Sequence, residues 1–313
     1  MTERCTYYLN SRSVIFGVLT FGLGFAGMQE GLSSSLLTRW CGFGRCGSAL
    51  VSIVIAVSLL GWFGVQNAVF AQGLNYALGN RLGFSCSAAL SGMILTLLVA
   101  FGFTALRITA KVSVPLFITV ITYISTLILT GQQTLPSLHA TPMGTPISVA
   151  SGITMIIGGC IVASLITPDM SRYLKNGRQV FWMTMASIII GEGVINGLAI
   201  VVARSLHSSD IVTLMTQSAG GLGLFAVIFS TLRINDINLY SSSLSIANVV
   251  EVATGKKIRY IVITMLTGFI GTMLSVGGIL HKFRTSKKNG RKMKREKCAW
   301  LSDVTSSMYE RTV

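Results

Sequence analysis

Charged residues are scarce in this chain. Asp, Glu, Lys and Arg make up 11% of its 313 residues, whereas hydrophobic residues make up 51%. Soluble globular domains carry about 25% charged residues, and the mean hydropathy here is +0.67. The composition therefore excludes an ordinary soluble domain.

The sequence also lacks the motifs of common enzymes and metal sites. Its three histidines, His139, His207 and His281, fall in predicted loops or at span ends, and no HExxH, GxSxG or phosphate-binding loop occurs. The six cysteines include no CxxC pair, so we interpret them as free thiols. Asp236 and Glu192 are the only carboxylates available as a catalytic pair inside apolar stretches. We therefore expect no enzyme, no cofactor and no metal site.

Long apolar stretches dominate the chain instead. Each has about 18 residues or more, which is the length that crosses a bilayer as a helix. We predict an all-α fold, a polytopic bundle of membrane helices in contact with the lipid bilayer. The eight predicted spans lie at about 14–29, 48–78, 86–106, 112–130, 147–167, 180–203, 221–249 and 258–280.

Lys and Arg residues predict the orientation of these spans. One set of alternate loops holds ten of them and the other set holds four, which places the first set in the cytoplasm and the amino terminus outside. The ten are Arg39, Arg45, Arg107, Lys111, Arg172, Lys175, Arg178, Lys256, Lys257 and Arg259. A further ten of the 25 basic residues lie between Lys282 and Arg311, so the net charge of +15 indicates no nucleic-acid partner.

Residues 284–313 are predicted to be a basic, disordered tail that follows a transmembrane domain of residues 1–283. Apolar residues almost vanish between Arg284 and Lys297, and no helical stripe follows. After eight spans the tail falls outside, against the positive-inside rule. Either a span is missing, or the tail is not the natural continuation of the fold, and its composition favours the second. A solvated charged tail and a change of reading frame near Phe283 both fit.

Ionisable residues inside membrane spans are costly, so each one is a functional hypothesis. Glu192 lies in the sixth predicted span, and Arg233 and Asp236 lie in the seventh. Arg233 and Asp236 are three residues apart, so they share a helix face and can pair. Such a pair either fixes the packing of the bundle or places a charge at a coupling or substrate site. Asp169 and Arg172 lie near a cytoplasmic end, where we expect a solvated or gate-closing pair.

Backbone irregularity marks the fifth span. Gly158 and Gly159 interrupt it, and Ser164, Thr167 and Pro168 follow. A glycine pair alone indicates either close helix packing or a broken helix. A helix broken at membrane depth is tolerated only where its free backbone groups line a cavity or bind something.

Aromatic and amide residues lie together in the second span. Trp62 and Phe63 stand between two glycines, and Gln66 and Asn67 follow. Stacking combined with hydrogen bonds at the ring edge holds planar heteroaromatic ligands. The alternative is an aromatic packed in the interior beside small residues.

Four runs of the sequence resemble the cytosine and purine permeases of the nucleobase-cation symporter family. They are GLSSSLLTRWCGFG, GWFGVQNAVFAQGL, PDMSRYLKNG and NDINLYSSSLSIAN, in that order, within a resemblance over about residues 14–283. The resemblance implies a twelve-helix, five-plus-five inverted-repeat fold like that of the leucine transporters. It also implies that the eight spans correspond to the second through ninth family helices, as in a member truncated at both ends.

The resemblance also implies candidate substrate residues. Trp62 matches the stacking tryptophan of the third family helix, and Gly158, Gly159 and Ser164 lie in its broken sixth helix. Cys160 stands where cytosine carriers have an aromatic residue, and Leu59 replaces a glutamine that reads the base edge. These departures put cytosine in doubt and leave purines, hydantoins or allantoin open.

On the eighth family helix, the positions that match the sodium site are Ser230, Arg233 and Ile234. Arg233 cannot ligate a cation, so we expect a sodium-independent carrier in which Asp236 or Glu192 titrates if protons drive uptake. The resemblance thus predicts a multi-pass permease of the plasma (cytoplasmic) membrane, with a small nucleobase-like substrate. The alternative is a non-transporting remnant or accessory membrane subunit.

Overall fold

The computed structural model describes residues 2–129, 161–195 and 211–278, and these residues form helices and turns and no strand. In chain order the helices are α1 (Thr2–Glu30), α2 (Ser34–Thr38), α3 (Gly44–Ala77), α4 (Gly83–Ala100), α5 (Phe103–Leu129), α6 (Ile161–Ser171), α7 (Gly177–Ala186), α8 (Ile211–Thr254) and α9 (Tyr260–Val276). A kink at Cys41 and Gly42 lies between α2 and α3, and wider π-type turns extend α7 over Ser187–Ile195. By length and composition four described segments are able to cross a membrane, namely Ser34–Ala77, Gly83–Ala100, Phe103–Val120 and Gly220–Thr254.

A glycine sets the boundary between α4 and α5. The third predicted span runs to about residue 106, but α4 ends at Ala100 and α5 begins at Phe103. Gly102 between them has a φ of +74°, which is the left-handed region that glycine adopts without strain. The apolar composition of this stretch gives no sign of the break, which is why the predicted span overran it.

The helices pack as two groups. The first group consists of α1, α6 and α7, in which α1 packs against both of the others. The second group consists of α3, α4, α5, α8 and α9, in which α8 runs along most of α3. The short helix α2 lies between the groups and touches members of each.

Buried aromatic and aliphatic residues form the core of the second group. They are Phe63, Phe70, Leu95, Val99, Leu106, Leu239 and Tyr240. Large apolar side chains that are exposed on the outside of the helices include Leu50, Leu97 and Phe269. Because lipid is as apolar as these side chains, contacts between the helices rely on close packing and hydrogen bonds.

Glycine and threonine make the contact between α4 and α9 unusually close. A Cβ atom added at Gly92 would lie 2.9 Å from Thr272 Cβ, and one added at Gly268 would lie 2.8 Å from Thr96 Cβ. Each threonine hydroxyl donates to the carbonyl of the glycine four residues before it, over 2.7 Å in both helices. The two antiparallel helices therefore meet through the same motif in both directions, as a local two-fold axis requires. An inverted repeat predicts this kind of relation.

The basic loops meet at one end of the bundle. Arg39, before α3, donates to Asn248 near the end of α8, and it forms an ion pair with Glu251 over 3.5 Å. Tyr173, after α6, stacks on Phe103 at the start of α5. This common end is consistent with one membrane side for the loops richest in Lys and Arg.

Candidate functional site

Three helices meet around the middle of α3. Ile55 and Leu59 on α3 and Ile166 on α6 form a buried apolar cluster, and Ile237 of α8 packs against its edge. Trp62 lies one turn beyond Leu59 on α3, and 43% of its surface is exposed. The next residue, Phe63, is fully buried. Trp62 therefore presents an accessible ring at the level where α6 and α8 approach α3.

The helix α6 is interrupted within the described residues. Ile166 has φ of −90° and ψ of −1°, and the helix starts again at Thr167. Pro168 has no N–H group, so the carbonyl of Ser164 loses its helical partner. The Ser164 hydroxyl is buried and hydrogen-bonded to Thr20 of α1 over 2.9 Å. Gly158, Gly159 and Cys160, where the sequence predicts the break, lie outside the described residues.

Arg233 and Asp236 form an ion pair on α8. The Asp236 side chain is fully buried, and that of Arg233 is 23% exposed. The Thr109 hydroxyl of α5 also lies 3.5 Å from Asp236 Oδ2. The Ser230 hydroxyl donates to the carbonyl of Val227 in its own helix. Glu192 lies on the described backbone, but its side chain is outside the description, so its role as a titrating group stays a prediction.

Asp169 and Arg172 are not the solvated pair that the sequence allowed, because Asp169 is buried and each of them bonds to a residue on another helix. The gate-closing alternative stays a prediction. Asp169 is buried, and its Oδ1 accepts a hydrogen bond from the Ser34 backbone N–H over 2.8 Å. A carboxylate is favourable at the amino-terminal end of a helix, and Ser34 begins α2. A proline and an acidic residue at the end of a span are the only signal that the sequence offers for this contact.

Arg172 donates hydrogen bonds to the Tyr240 hydroxyl on α8 and to the neighbouring Tyr173 hydroxyl. Burial alone lowers the pKa of the Arg172 guanidinium, but Tyr240 and Tyr173 outweigh it and raise that pKa above its ordinary value. Arg172 therefore carries a positive charge at any working pH.

Two amides are fully buried, namely Asn67, which the sequence analysis named beside Trp62, and Asn235, which it did not name. Asn67 on α3 donates to the Ala88 carbonyl and accepts from the Ser91 hydroxyl, so it joins α3 to α4. Asn235 on α8 is fully buried, and neither polar atom of its side chain has a partner among the described residues. A buried amide without partners is unusual and calls for a ligand, a water molecule or a second conformation.

The known proteins that resemble this chain in sequence are permeases. No family model matches the chain. The chain is 30% identical over 267 residues to the cytosine permease of Escherichia coli (strain K12), an alignment that covers 84% of this chain and 61% of that protein. The cytosine permease of Escherichia coli O157:H7 gives the same figures.

Two solved structures share the fold. Both are of Mhp1, a nucleobase-cation-symport-1 family transporter, at 19% sequence identity. The closed conformation with bromovinylhydantoin bound gives a TM-score of 0.65 and covers 85% of this chain and 63% of that one. The inward-facing conformation gives 0.66, with 87% and 64% covered. The likeness confirms the predicted all-helical membrane fold, and these relatives are transporters rather than enzymes. The chain spans less than two thirds of the length of each.

Proposed function

We propose that this chain, a homologue of cytosine permease with the fold of a nucleobase-cation symporter, is a secondary transporter of nucleobases or related compounds in the cytoplasmic membrane. One observation carries the proposal. The interrupted helix α6 meets α3 beside α8, at the level of the accessible Trp62 ring. Transporters of this class bind substrate near the bilayer midplane, where a discontinuous helix leaves backbone groups free.

The proposed substrate is a small, planar, heteroaromatic or ureide ring. Trp62 would stack on its face, while Ser164 and the backbone before it, including Gly158 to Cys160, would bind its edge. Leu59 is 1% exposed and packs against Ile166, so it offers no hydrogen bond to a base. We therefore favour a purine, hydantoin or allantoin over cytosine.

We further propose that transport does not require sodium. Arg233 is held on α8 by its ion pair with Asp236, at a position where the resemblance implies a cation ligand. A sodium ion about 4 Å from the guanidinium is repelled by about 4 kcal/mol at an effective dielectric constant of about 20. The Asp236 carboxylate offsets part of that repulsion, so a loss of about a thousandfold in affinity is its upper bound. If protons drive uptake, the proposed titrating groups are Asp236 and Glu192.

The experiment is uptake of radiolabelled adenine, cytosine, uracil and allantoin by cells that express this chain, in sodium and in choline buffer. The proposal predicts accumulation above the empty vector, equal in both buffers, and lost in Trp62→Ala. Trp182→Ala is the matched control, because Trp182 is 60% exposed on α7. Uptake that requires sodium contradicts the proposed coupling.

The second candidate is a non-transporting remnant or accessory membrane subunit. It predicts no uptake of any of the four compounds by cells that express this chain alone. It also predicts that the chain co-purifies with a full-length carrier when the two are expressed together.

A further inference from the structure

A cluster of one arginine and several aromatic side chains connects the two groups of helices. Arg172 and Tyr173 follow α6 in the first group, whereas Tyr240 belongs to α8 in the second. Arg172 donates to the Tyr240 hydroxyl, and the hydroxyls of Tyr173 and Tyr240 are 2.7 Å apart. Both hydrogen bonds therefore cross from one group to the other.

Aromatic rings extend this connection to two further helices. Tyr173 stacks on Phe103 of α5, with ring centroids 3.9 Å apart and planes inclined by 17°. Tyr240 packs edge to face with Tyr260 of α9 at 5.8 Å. The loops after α4, after α6 and before α9 are thereby drawn together at the basic end of the bundle.

The same short segment also contacts α2, which packs more extensively on α3 and α8 than on α1 and α6. Asp169, three residues before Arg172, accepts from the Ser34 N–H. Ser34 lies just past the link between α1 and α2. In that link Gly31 has a φ of +63°, and no atom lies within 4 Å of the place that a Cβ atom would occupy. An uncrowded glycine in that conformation is a suitable pivot between the two groups.

The chemistry of the cluster suits a contact that opens and closes. Arg172 bonds to phenol hydroxyls rather than to a carboxylate of the second group, so separation breaks no ion pair between the groups. Arg172 Nε has no hydrogen-bond partner among the described residues. The rings keep the surfaces complementary without a directional bond to each other.

We propose that Arg172, Tyr173 and Tyr240 form a latch that holds the two groups of helices together at the cytoplasmic end, and that this latch separates when a substrate leaves toward the cytoplasm. The purpose of the latch rests on the proposed transport function. Its existence does not, because opening of the groups is measurable without any substrate.

Hydrogen exchange of the purified chain, read by mass spectrometry, tests the latch. The Ser34 amide is protected by Asp169 only while the groups are together, so peptides across 30–40 and 161–177 report opening. Loss of a hydrogen bond from a charged donor shifts such an equilibrium roughly tenfold or more. We expect about tenfold faster exchange in these peptides for Arg172→Gln, and a smaller increase for Tyr240→Phe, which removes one oxygen atom.

Two variants are matched controls. Tyr260→Phe removes a hydroxyl from the same aromatic cluster but no bond to Arg172, and Arg178→Gln removes an exposed cation from the next helix. Neither should change exchange in the two reporting peptides. Peptides from α4 and α9, inside the second group, serve as the folding reference.

The latch is refuted if both Arg172→Gln and Tyr240→Phe leave exchange at 30–40 and 161–177 unchanged. It is also refuted if either variant accelerates the reference helices equally, since the cluster then supports the whole fold, or if Tyr260→Phe has the effect of Tyr240→Phe. If the expected exchange pattern appears but no compound is taken up, the proposed function fails and the latch stands.

Discussion

A single methyl group between α4 and α9 provides a quantitative test of the fold. In Gly268→Ala the new Cβ would lie 2.8 Å from Thr96 Cβ, whereas ordinary contact begins at 3.4 Å. The neighbouring Thr96 Oγ1 and Cγ2 are closer still. Because 2.8 Å is more than half an ångström short of the 3.4 Å at which ordinary contact begins, the helices must separate locally by at least that difference.

The expected cost follows from two opposing terms. Overpacking of a tight interface costs about 1–3 kcal/mol, while replacing glycine by alanine inside a helix gains about 0.5–1 kcal/mol. We expect Gly268→Ala to lower the free energy of unfolding by about 1–2 kcal/mol. Gly61→Ala on α3 is the control, because no atom lies within 4 Å of a Cβ there, and only the gain applies.

Equilibrium unfolding of the purified protein from mild detergent into denaturing detergent gives both free energies. A difference of about 2 kcal/mol between the two variants corresponds to about thirtyfold in the unfolding constant. The double variant Gly268→Thr, Thr96→Gly places threonine on α9 and glycine on α4, as in the Gly92 and Thr272 pair. It should recover more than half of the stability that Gly268→Ala loses. Equal stability of Gly268→Ala and Gly61→Ala would refute the reciprocal packing.

Three further predictions concern polar and aromatic residues. Arg233→Gln should lower the free energy of unfolding by about 3–5 kcal/mol because it leaves a buried charge unpaired, and adding Asp236→Asn should recover most of that loss in the same unfolding assay. Asn67→Leu should cost about 1–3 kcal/mol, since it removes two buried hydrogen bonds, to the Ala88 carbonyl and from the Ser91 hydroxyl, and a Ser91→Ala partner variant should lessen that cost. Trp62→Ala should weaken equilibrium binding of a radiolabelled purine at least tenfold while Trp62→Phe, which keeps a ring to stack, retains most of it.

The sequence predicted contacts between nearby residues of one helix better than contacts between distant segments. The pairing of Arg233 with Asp236 follows from a spacing of three residues on one helix, and the structure contains that pair. The Asp169 bond to Ser34 joins residues 135 apart in the chain, and the Arg172 bond to Tyr240 joins residues 68 apart. No pattern within one span carries that information, so their burial could not be predicted from it.

The length of the apolar stretches predicted the existence of the helices better than the positions of their ends. The helices α3 and α8 have 34 and 44 residues, and the second and seventh predicted spans were already too long for one straight crossing. The end of α4 depends instead on the backbone conformation of Gly102, and the interruption of α6 within the described residues is at Ile166. Hydropathy is insensitive to both, because neither changes the polarity of the segment.

If the chain transports as proposed, the distribution of contacts accounts for a well-packed bundle that can change shape. Within the second group, helices adhere through glycine, threonine and buried amides, and any separation there breaks many close contacts together. Between the groups the described contacts include the apolar cluster at Ile166, Met170 against the core of the second group and the cluster around Arg172, with the Asp169 bond to Ser34 of the intervening α2. Alternating access requires two states that differ by a few kcal/mol. A junction of few contacts keeps that difference small, whereas a second interface as extensive as that between α3 and α8 would lock the protein in one state.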